Sequence, residues 1–428
     1  RKRVRQTDQS LLLRLFGQGN TKVHVSSSSP LRYQPAIDAL TGYGPLKAEP
    51  ASVMKDPDRQ PWNSASSAIR TFHNQLTERG VQLVIVPIPV KPMVSPAPVS
   101  HADEAEFYQQ LRSEGIQVID LKPHFTADSF LNQDTHWTAA AAERSAQLVA
   151  DQLSEFKGPL RTETEIVQRS HMGDLVGMLD LRDPSQYFSP ELQTLKRVID
   201  PETSQPLADS LESPIALIGD SFLNIYEEPG LGFGIQESES ALDQSPLIGA
   251  GVPSHLAAAL GTRLQVIAIN GEGATGVRQA FAQLPDNIVR SKKVVIWALA
   301  SRDLLLAESA AGRAGVRWGD VTFNPTSDAS AAETAEVSPS DQTGILMAAT
   351  LSHKSAITDP EATPYKDAIY STVFTEVDVF DGDYGEQAIF TFLWAFRDRK
   401  LQPDARLEEA NATKSASSHS PRLQQFSE

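Results

Sequence analysis

Five short apolar runs, separated by segments of helical character, restrict what this chain can fold into. The runs are continuous and rich in β-branched residues, which is typical of strands buried on both faces of a parallel sheet. They are VQLVIVPIPV, IQVIDL, IALIGDSF, RLQVIAINGEG and KKVVIWALA. Segments near them, such as SAIRTFHNQLTERG and EAEFYQQLRSEG, show helical spacing and end at glycine. The alternation predicts the α/β class: a parallel sheet in a three-layer arrangement, with helices on both faces.

The remaining sequence divides the chain into five parts. Residues 320–342 are poor in large apolar side chains and rich in Ser, Thr, Ala, Pro and Asp, which is typical of a linker. Beyond the linker, ILMAATLS, AIYSTVFTEVDVF and EQAIFTFLWAF show the alternation of β-strands. The predicted parts are an irregular N-terminal segment over 1–60, the α/β domain over 61–319, the linker over 320–342, a small β domain over 343–404 and a disordered tail over 405–428.

The charge balance and the lack of cysteine exclude several classes of protein. The 428 residues carry a formal net charge of −16, whereas a nucleic-acid-binding protein needs a basic face to neutralise phosphates. Without cysteine, the chain has no thiolate nucleophile, disulfide or Cys-ligated zinc. The longest apolar run is far shorter than the roughly 18 residues of a membrane-spanning helix. The chain begins at Arg1 rather than Met, which is compatible with a leader or anchor upstream.

Polar residues follow three of the predicted strands directly. Ser221 follows IALIGD, Asn270 follows LQVIAI, and Arg302 follows VVIWALAS. In a parallel sheet these carboxyl ends meet at one edge, where ligands bind. The GDS of residues 219–221 has the character of a nucleophile turn, because a serine at a helix N-terminus is exposed and lies beside free backbone N–H groups. A plain structural turn is the alternative interpretation.

The motif DTHW, residues 134–137, supplies the partners that a serine nucleophile needs. A serine hydroxyl is activated by a base within hydrogen-bond reach, and the base is oriented by an acid. Asp134 can accept from Nδ1 of His136, which leaves Nε2 for Ser221, and Trp137 is the tryptophan that we place at the site. Alternatively, Asp134 or Thr138 only caps the Ala-rich helix that follows, and Trp137 is a core anchor.

A glycine-rich loop, NGEGATG at 270–276, follows the fourth strand. Its residues 271–276 match the dinucleotide fingerprint formally, but no acidic residue follows about 20 positions on at the end of a second strand. We therefore favour an oxyanion-binding loop, with the Asn270 amide and the N–H of Gly271 or Gly273 beside Ser221. A plain strand-to-helix turn is the alternative.

IGDSF, DTHW, PIPVKPMVSP and HMGDLVGML together resemble the SGNH-hydrolase-like domain of the alginate-type O-acetyltransferases. In that family the Asp-x-His pair precedes the serine along the chain, which reverses the order of ordinary SGNH esterases, and this chain has the same order. The resemblance covers roughly residues 60–310. It implies that Ser221 is the nucleophile, His136 the base and Asp134 the residue that orients the base.

The resemblance also implies the surroundings of the site. The matching positions of NGEGATG would bind the oxyanion, and Lys91, Tyr226 and Arg302 would lie near the site. No metal and no cofactor are expected. The region after the linker does not clearly resemble the carbohydrate-binding module of the family. His171, in HMGDLVGML, is interpreted as a loop or core histidine, with a residue that lines the cleft as the alternative.

The expected function is a serine-dependent O-acetyltransferase that acts on an extracellular polysaccharide through an acetyl-serine intermediate. The family implies a periplasmic or other extracytoplasmic location, anchored by an N-terminal segment absent from this chain, and a membrane-bound O-acyltransferase as partner. Two alternatives stay open. The same residues serve a carbohydrate O-acetyl esterase, in which water replaces the sugar hydroxyl. The chain can also be a non-catalytic polysaccharide-binding or scaffold protein of an export complex.

Overall fold

The structure is a computed structural model, and the chain forms two compact units. The first unit comprises Arg1–Phe281 and Asn287–Val321, and the second comprises Ala282–Asp286 and Thr322–Glu428. The structure describes residues 23–26, 29–33, 65–94, 104–207, 209–227, 248–305, 318–323, 346–354, 368–381, 388–397 and 400–402, and the single positions 13, 37, 98, 316 and 405.

A five-stranded parallel sheet forms the centre of the first unit. Its strands are β3 Gln82–Ile88, β4 Gln117–Val118, β7 Ile215–Gly219, β8 Gln265–Ala268 and β9 Val294–Ala300. They lie in the order β4-β3-β9-β7-β8, and every neighbouring pair is parallel. All residues of β7 and β9 are buried, so both faces of the sheet are covered. The prediction of an α/β fold with a parallel sheet is confirmed.

Ten α-helices lie among the described residues. Their bounds are α1 Ala65–Thr77, α2 Lys91–Val94, α3 Glu104–Ser113, α4 Ala139–Gln152, α5 Asp174–Met178, α6 Ser221–Asn224, α7 Val252–Leu260, α8 Gly276–Ala282, α9 Asp286–Ser291 and α10 Ser301–Leu304. Helix α4 begins where the Thr138 side chain accepts from the N–H of Ala141, and its alanines favour the helix. Helix α7 ends at Gly261, whose φ of 61° is the left-handed conformation that glycine tolerates. In the part of the chain that is described, no helix is long and apolar enough to cross a membrane.

A β-hairpin lies in the N-terminal segment that the sequence predicts to be irregular. Strands β1 Val23–Ser26 and β2 Ser29–Tyr33 pair antiparallel. Val23 and Leu31 are buried in a small apolar cluster with residues of α5, among them Leu175 and Val176. The interpretation as irregular is wrong for these two strands, because their stability comes from contacts with a segment far along the chain.

A second antiparallel ribbon precedes the serine strand. Strands β5 Glu163–His171 and β6 Glu191–Ile199 pair in full register, from Glu163 opposite Ile199 to His171 opposite Glu191. Strand β5 has no fully buried residue, so its sequence lacks the apolar runs by which the sheet strands are found. The paired ends of the ribbon adjoin residues 132–134: the Glu191 carboxylate accepts from the N–H of Gln133 at 2.7 Å, and Nε2 of His171 lies 3.6 Å from Oδ2 of Asp134.

The second unit contains a four-stranded antiparallel sheet, as predicted for the small β domain. Its strands are β10 Leu346–Lys354, β11 Ala368–Asp381, β12 Ala388–Arg397 and β13 Lys400–Leu401, in sequential order. The predicted linker lies outside the described residues from position 324 onward, and the predicted tail lies outside them beyond position 405.

Candidate active site

The turn after β7 presents Ser221 at the start of α6. Asp220 accepts from the N–H of Phe222 at 3.0 Å through Oδ1, and from the N–H of Ala300 at 3.2 Å through Oδ2. One carboxylate therefore caps the serine helix and ties it to the end of the neighbouring strand β9. This arrangement fixes the position of Ser221, which is 8% exposed.

Gly219 is required immediately before this turn. A Cβ at this position would lie 2.4 Å from the carbonyl oxygen of Ala298 and 2.6 Å from a methyl carbon of Leu223. The backbone of β7 approaches β9 and the first turn of α6 too closely for any side chain. The glycine of the GDS motif is therefore set by packing at the strand end.

His136 connects the serine to an aspartate. The Nε2 of His136 lies 2.8 Å from the Oγ of Ser221, and its Nδ1 lies 2.6 Å from Oδ1 of Asp134. The same Oδ1 also accepts from the backbone N–H of His136 at 3.0 Å. Asp134 is 1% exposed and His136 is 4% exposed. Because Nδ1 donates to the carboxylate, Nε2 of the neutral imidazole is an acceptor directed at the serine hydroxyl.

Within and beside DTHW, the helix cap and the partner of His136 are different residues. Thr138 caps helix α4, whereas Asp134 is bound to His136 rather than to the helix. Leu131 N–H donates to the carbonyl oxygen of His136, and Thr138 N–H donates to that of Ser129, so both ends of the motif are closed by backbone bonds. The helix therefore positions the loop, and the loop positions the imidazole.

The electrostatics of the pair favour an ionised aspartate and a basic imidazole. Burial by itself would lower the pKa of His136, but the charge and hydrogen bond of Asp134, with the charges of Asp174 and Asp220, together raise it above the usual value. Burial opposes ionisation of Asp134, yet the charge and hydrogen bonds of His136, with a contribution from His171, hold the pKa of Asp134 well below its usual range. The aspartate thus remains charged and stabilises the imidazolium.

Two further residues adjoin Asp134: His171, for which a position lining the cleft was the alternative interpretation, and Asp174, which the sequence interpretation did not assign to the site. The N–H of Asp174 donates to Oδ2 of Asp134 at 2.9 Å, and Nε2 of His171 lies 3.6 Å from the same oxygen. Both belong to the HMGDLVGML segment, which the resemblance singles out. A glycine followed by an acid at a helix start was the available signal, but the sequence does not show which loop that acid faces.

The glycine-rich loop packs against the serine turn. A Cβ on Gly273 would lie 3.0 Å from Oδ2 of Asp220, and the carbonyl oxygen of Gly273 accepts from Nε1 of Trp297 at 2.8 Å. Gly271 has a φ of 76°. Oδ1 of Asn270 accepts a hydrogen bond from Nδ2 of Asn224 at 3.0 Å. This bond fixes the orientation of the Asn270 amide and leaves its own Nδ2 as a donor.

Three residues predicted to line the site are buried and hold the loop from inside. The hydroxyl of Tyr226 donates to the carbonyl oxygen of Trp137 at 2.8 Å, and both side chains are at most 1% exposed. The Trp137 ring packs edge-on against Phe222, with centroids 5.1 Å apart. Lys91 donates to the carbonyl oxygen of Leu31 at 2.9 Å and is 4% exposed. The polar groups of Tyr226 and Lys91 are therefore bonded within the protein, as for a structural role, and substrate binding by Tyr226, Trp137 and Lys91 stays a prediction.

Arg302 follows β9 at the same edge of the sheet. Its Nε lies 3.3 Å from Oδ1 of Asp303, and its guanidinium carbon lies 5.6 Å from the centroid of the Tyr33 ring. The side chain is 22% exposed. Burial raises the pKa of Asp220, and the charge of Arg302 partly opposes this rise. Arg302 is thus placed near the serine turn, and substrate binding by Arg302 stays a prediction.

One group of residues has the spacing of a metal site. Ligand atoms of Asp134, His136 and Asp174 lie within 4.8 Å of one another. Their oxygens, however, already accept from N–H and O–H groups: Asp134 from His136, and Asp174 from the N–H and hydroxyl of Thr135. This hydrogen-bonding pattern is that of an acid–base cluster.

A parallel α/β sheet whose edge joins a GDS serine, a histidine and an aspartate in one hydrogen-bonded series defines an SGNH-hydrolase-like protein. A family model described as the SGNH hydrolase-like domain of the acetyltransferase AlgX matches residues 49–301, more than half of the chain. The chain therefore belongs to this family of O-acetyltransferases, which confirms the resemblance seen in its motifs.

Individual relatives are similar over shorter stretches. The alginate biosynthesis protein AlgX of Pseudomonas putida is 30% identical over 129 residues, which cover 24% of this chain and 27% of AlgX. The probable alginate O-acetylase AlgJ of Pseudomonas aeruginosa is 26% identical over 184 residues, 36% of this chain and 47% of AlgJ. The solved O-acetyltransferase domain of Pseudomonas putida AlgJ matches with a TM-score of 0.45 and 20% identity, over 66% of this chain and 92% of that domain. This chain thus spans less than half the length of the curated relatives that it matches.

Proposed function

We propose that this protein is a serine-dependent O-acetyltransferase that works through an acetyl-serine intermediate. The observation that carries the proposal is the 2.8 Å separation of Nε2 of His136 and Oγ of Ser221, with Asp134 on the opposite ring nitrogen. The Oγ attacks the carbonyl carbon of an acetyl donor while Nε2 takes the hydroxyl proton. The bond to the leaving group then breaks, and the leaving group departs with the proton from His136.

A sugar hydroxyl completes the transfer. Its oxygen attacks the carbonyl carbon of the acetyl-serine ester, and Nε2 of His136 takes its proton. The ester bond to Oγ breaks, the proton returns to Oγ from His136, and the acetylated sugar leaves. Asp134 stays ionised in both steps. Its charge and the hydrogen bond that it accepts from Nδ1 stabilise the imidazolium.

The glycine-rich loop is proposed to bind the oxyanion of both steps. Gly273 packs on Asp220, directly before the nucleophile, and Nδ2 of Asn270 is the donor end of a fixed amide. Backbone and amide N–H groups that are held in place before the reaction stabilise a developing negative charge without reorganisation. Gly271 lies in the same loop and has a φ of 76°, a conformation that favours glycine.

The proposed acceptor is a polysaccharide outside the cytoplasm, and the proposed partner is a membrane-bound O-acyltransferase that supplies acetyl groups. The names of the relatives support a polysaccharide: one is an alginate biosynthesis protein and another a probable alginate O-acetylase. The net charge of −16 favours an acceptor that is neutral or recognised through local groups.

The Ser221→Ala variant tests the proposal. It should release no p-nitrophenol from p-nitrophenyl acetate above the uncatalysed rate and should acetylate no oligosaccharide. Mass spectrometry of an oligosaccharide incubated with donor separates transferase from esterase, because new acetyl groups mean transfer and loss alone means hydrolysis. A covalent serine probe that labels the wild type but not Ser221→Ala excludes the scaffold alternative. Equal p-nitrophenol release by the wild type and Ser221→Ala would refute the role of Ser221 as the nucleophile.

A further inference from the structure

The loop that carries the base lies unusually close to the start of α5. A Cβ on Gly173 would lie 2.1 Å from the carbonyl oxygen of Gln133 and 2.8 Å from the backbone nitrogen of Asp134. The N–H of Leu175 donates to the same Gln133 oxygen at 3.1 Å. Only glycine permits this approach, so the two backbones are in direct contact just before the Asp-x-His pair.

Asp174 and the loop bind each other reciprocally at this contact. The N–H of Asp174 donates to Oδ2 of Asp134 at 2.9 Å. In return, Oδ1 of Asp174 accepts from the N–H of Thr135 at 2.8 Å, and Oδ2 accepts from the Thr135 hydroxyl at 2.6 Å. Three bonds thus fix both residues that precede His136, and none of them involves Ser221.

The second carboxylate also faces the imidazole directly. Oδ2 of Asp174 lies 4.0 Å from Nδ1 of His136, on the ring nitrogen that already donates to Asp134. Two carboxylates are therefore within ion-pair reach of one imidazole. An opposite charge at this distance favours the protonated form of the ring.

We propose that Asp174 is a positioning residue for the base: it holds the Asp134–His136 turn through Thr135, and its charge at 4.0 Å stabilises the imidazolium formed when Ser221 is deprotonated. The inference rests on the proposed function, because it concerns the same imidazole. It differs from the role of Asp134, since Asp174 acts across a loop and accepts no hydrogen bond from the ring.

The ionisation of Asp174 sets the pH range in which it stabilises the His136 imidazolium. Burial, followed by the charge of Asp134, raises the pKa of Asp174 to about 6, and the charge of His136 opposes the shift. Asp174 is therefore mainly ionised at neutral pH. Several other ionisable groups interact electrostatically with the members of this cluster: Tyr33 with Asp174, Lys91 with both aspartates, His171 and Tyr226 with Asp134, and Asp220 with His136.

The test is the pH dependence of kcat/KM for p-nitrophenyl acetate in the full chain. In Asp174→Asn the acidic limb should move to lower pH by about 0.5–1 pH unit, because the imidazolium loses one stabilising charge. In Thr135→Val, which keeps the Asp174 carboxylate but removes the hydroxyl that donates to it and lies 3.3 Å from Nδ1 of His136, kcat should fall. Thr135→Ser should restore kcat.

The controls separate this inference from the proposed function. Asp183→Asn removes an exposed carboxylate and should leave the profile unchanged. The inference is overturned if the limb of Asp174→Asn coincides with that of the wild type, or if Thr135→Val keeps the wild-type kcat. The kcat of Thr135→Val tests the inference even if Asp174→Asn does not fold. Full activity of Ser221→Ala would instead overturn the proposed function.

Discussion

The Nε2 of His136 lies 2.8 Å from the Oγ of Ser221, although 85 positions of chain separate the two residues. The serine is placed by the carboxyl end of a buried strand, and the histidine by a loop closed at both ends by backbone bonds. Each side chain is therefore held by a different part of the fold. The contact between His136 and Ser221 therefore depends on several elements at this edge of the sheet. Substitutions near the contact are expected to differ in their effects on activity and on stability.

The Asp134→Asn variant should lose most of its activity while staying folded. An amide cannot stabilise the imidazolium and can hold the ring in the wrong tautomer, so kcat should fall by about 10³–10⁴-fold. Initial rates on p-nitrophenyl acetate measure the loss, and thermal unfolding checks the fold. Asp128→Asn, which changes an exposed acid, is the matched control. Wild-type rates in Asp134→Asn would show that the ring is oriented by another group.

The pH profile of the wild type should show a base with a raised pKa. The pKa of His136 lies above 6.5, and only the neutral imidazole can accept the serine proton. The value of kcat/KM should therefore rise with pH and reach half of its plateau above pH 6.5. Steady-state rates between pH 5 and pH 9 locate this midpoint. A flat profile across pH 6–8 would be incompatible with His136 as the base.

Replacement of Gly173, which directly precedes α5, should be far more harmful than replacement of Gly177, which lies within that helix. The Cβ of Gly173→Ala would collide with the backbone of Gln133, so we expect a loss of about 1–3 kcal/mol in stability and a lower kcat. Nothing lies within 4 Å of the corresponding atom in Gly177→Ala. That variant should be neutral or more stable by up to about 1 kcal/mol. Denaturant unfolding of both variants provides the comparison, and equal stabilities would contradict the close approach.

Tyr226→Phe distinguishes a structural tyrosine from one that binds substrate. The change leaves the buried carbonyl oxygen of Trp137 without the hydroxyl that donates to it, which should cost about 1–3 kcal/mol of stability. The KM should stay near the wild-type value, because the hydroxyl faces the protein interior. Thermal unfolding and steady-state kinetics measure the two effects. A large rise in KM with unchanged stability would instead support Tyr226 as a substrate contact.

The sequence was sufficient for the central sheet because the strands are continuous apolar runs. The positions of Ser221 and His136 relative to that sheet follow from strand ends and from the DTHW pattern, and here the structure and the sequence agree. The hairpin β1–β2 was not predicted, since Val23 and Leu31 gain their burial from α5. Burial of Tyr226 depends in the same way on the fold as a whole.

Asp174 could not be assigned for a related reason. Its partner Thr135 lies 39 positions earlier, and the contact requires the close approach that Gly173 permits. Neither residue type is unusual in its own segment. Local patterns thus identify groups that follow a strand or begin a helix, whereas a carboxylate that acts across two loops is recognised only from distances.

The most direct measurement is the intact mass of the protein after brief reaction with p-nitrophenyl acetate and acid quenching. The wild type should gain the mass of one acetyl group, and peptide mapping should locate it on Ser221. Ser221→Ala should gain none at that peptide, and Asp134→Asn should acquire the group more slowly. Turnover by the wild type without any acetyl group on Ser221, or turnover by Ser221→Ala at the wild-type rate, would contradict the acetyl-serine mechanism.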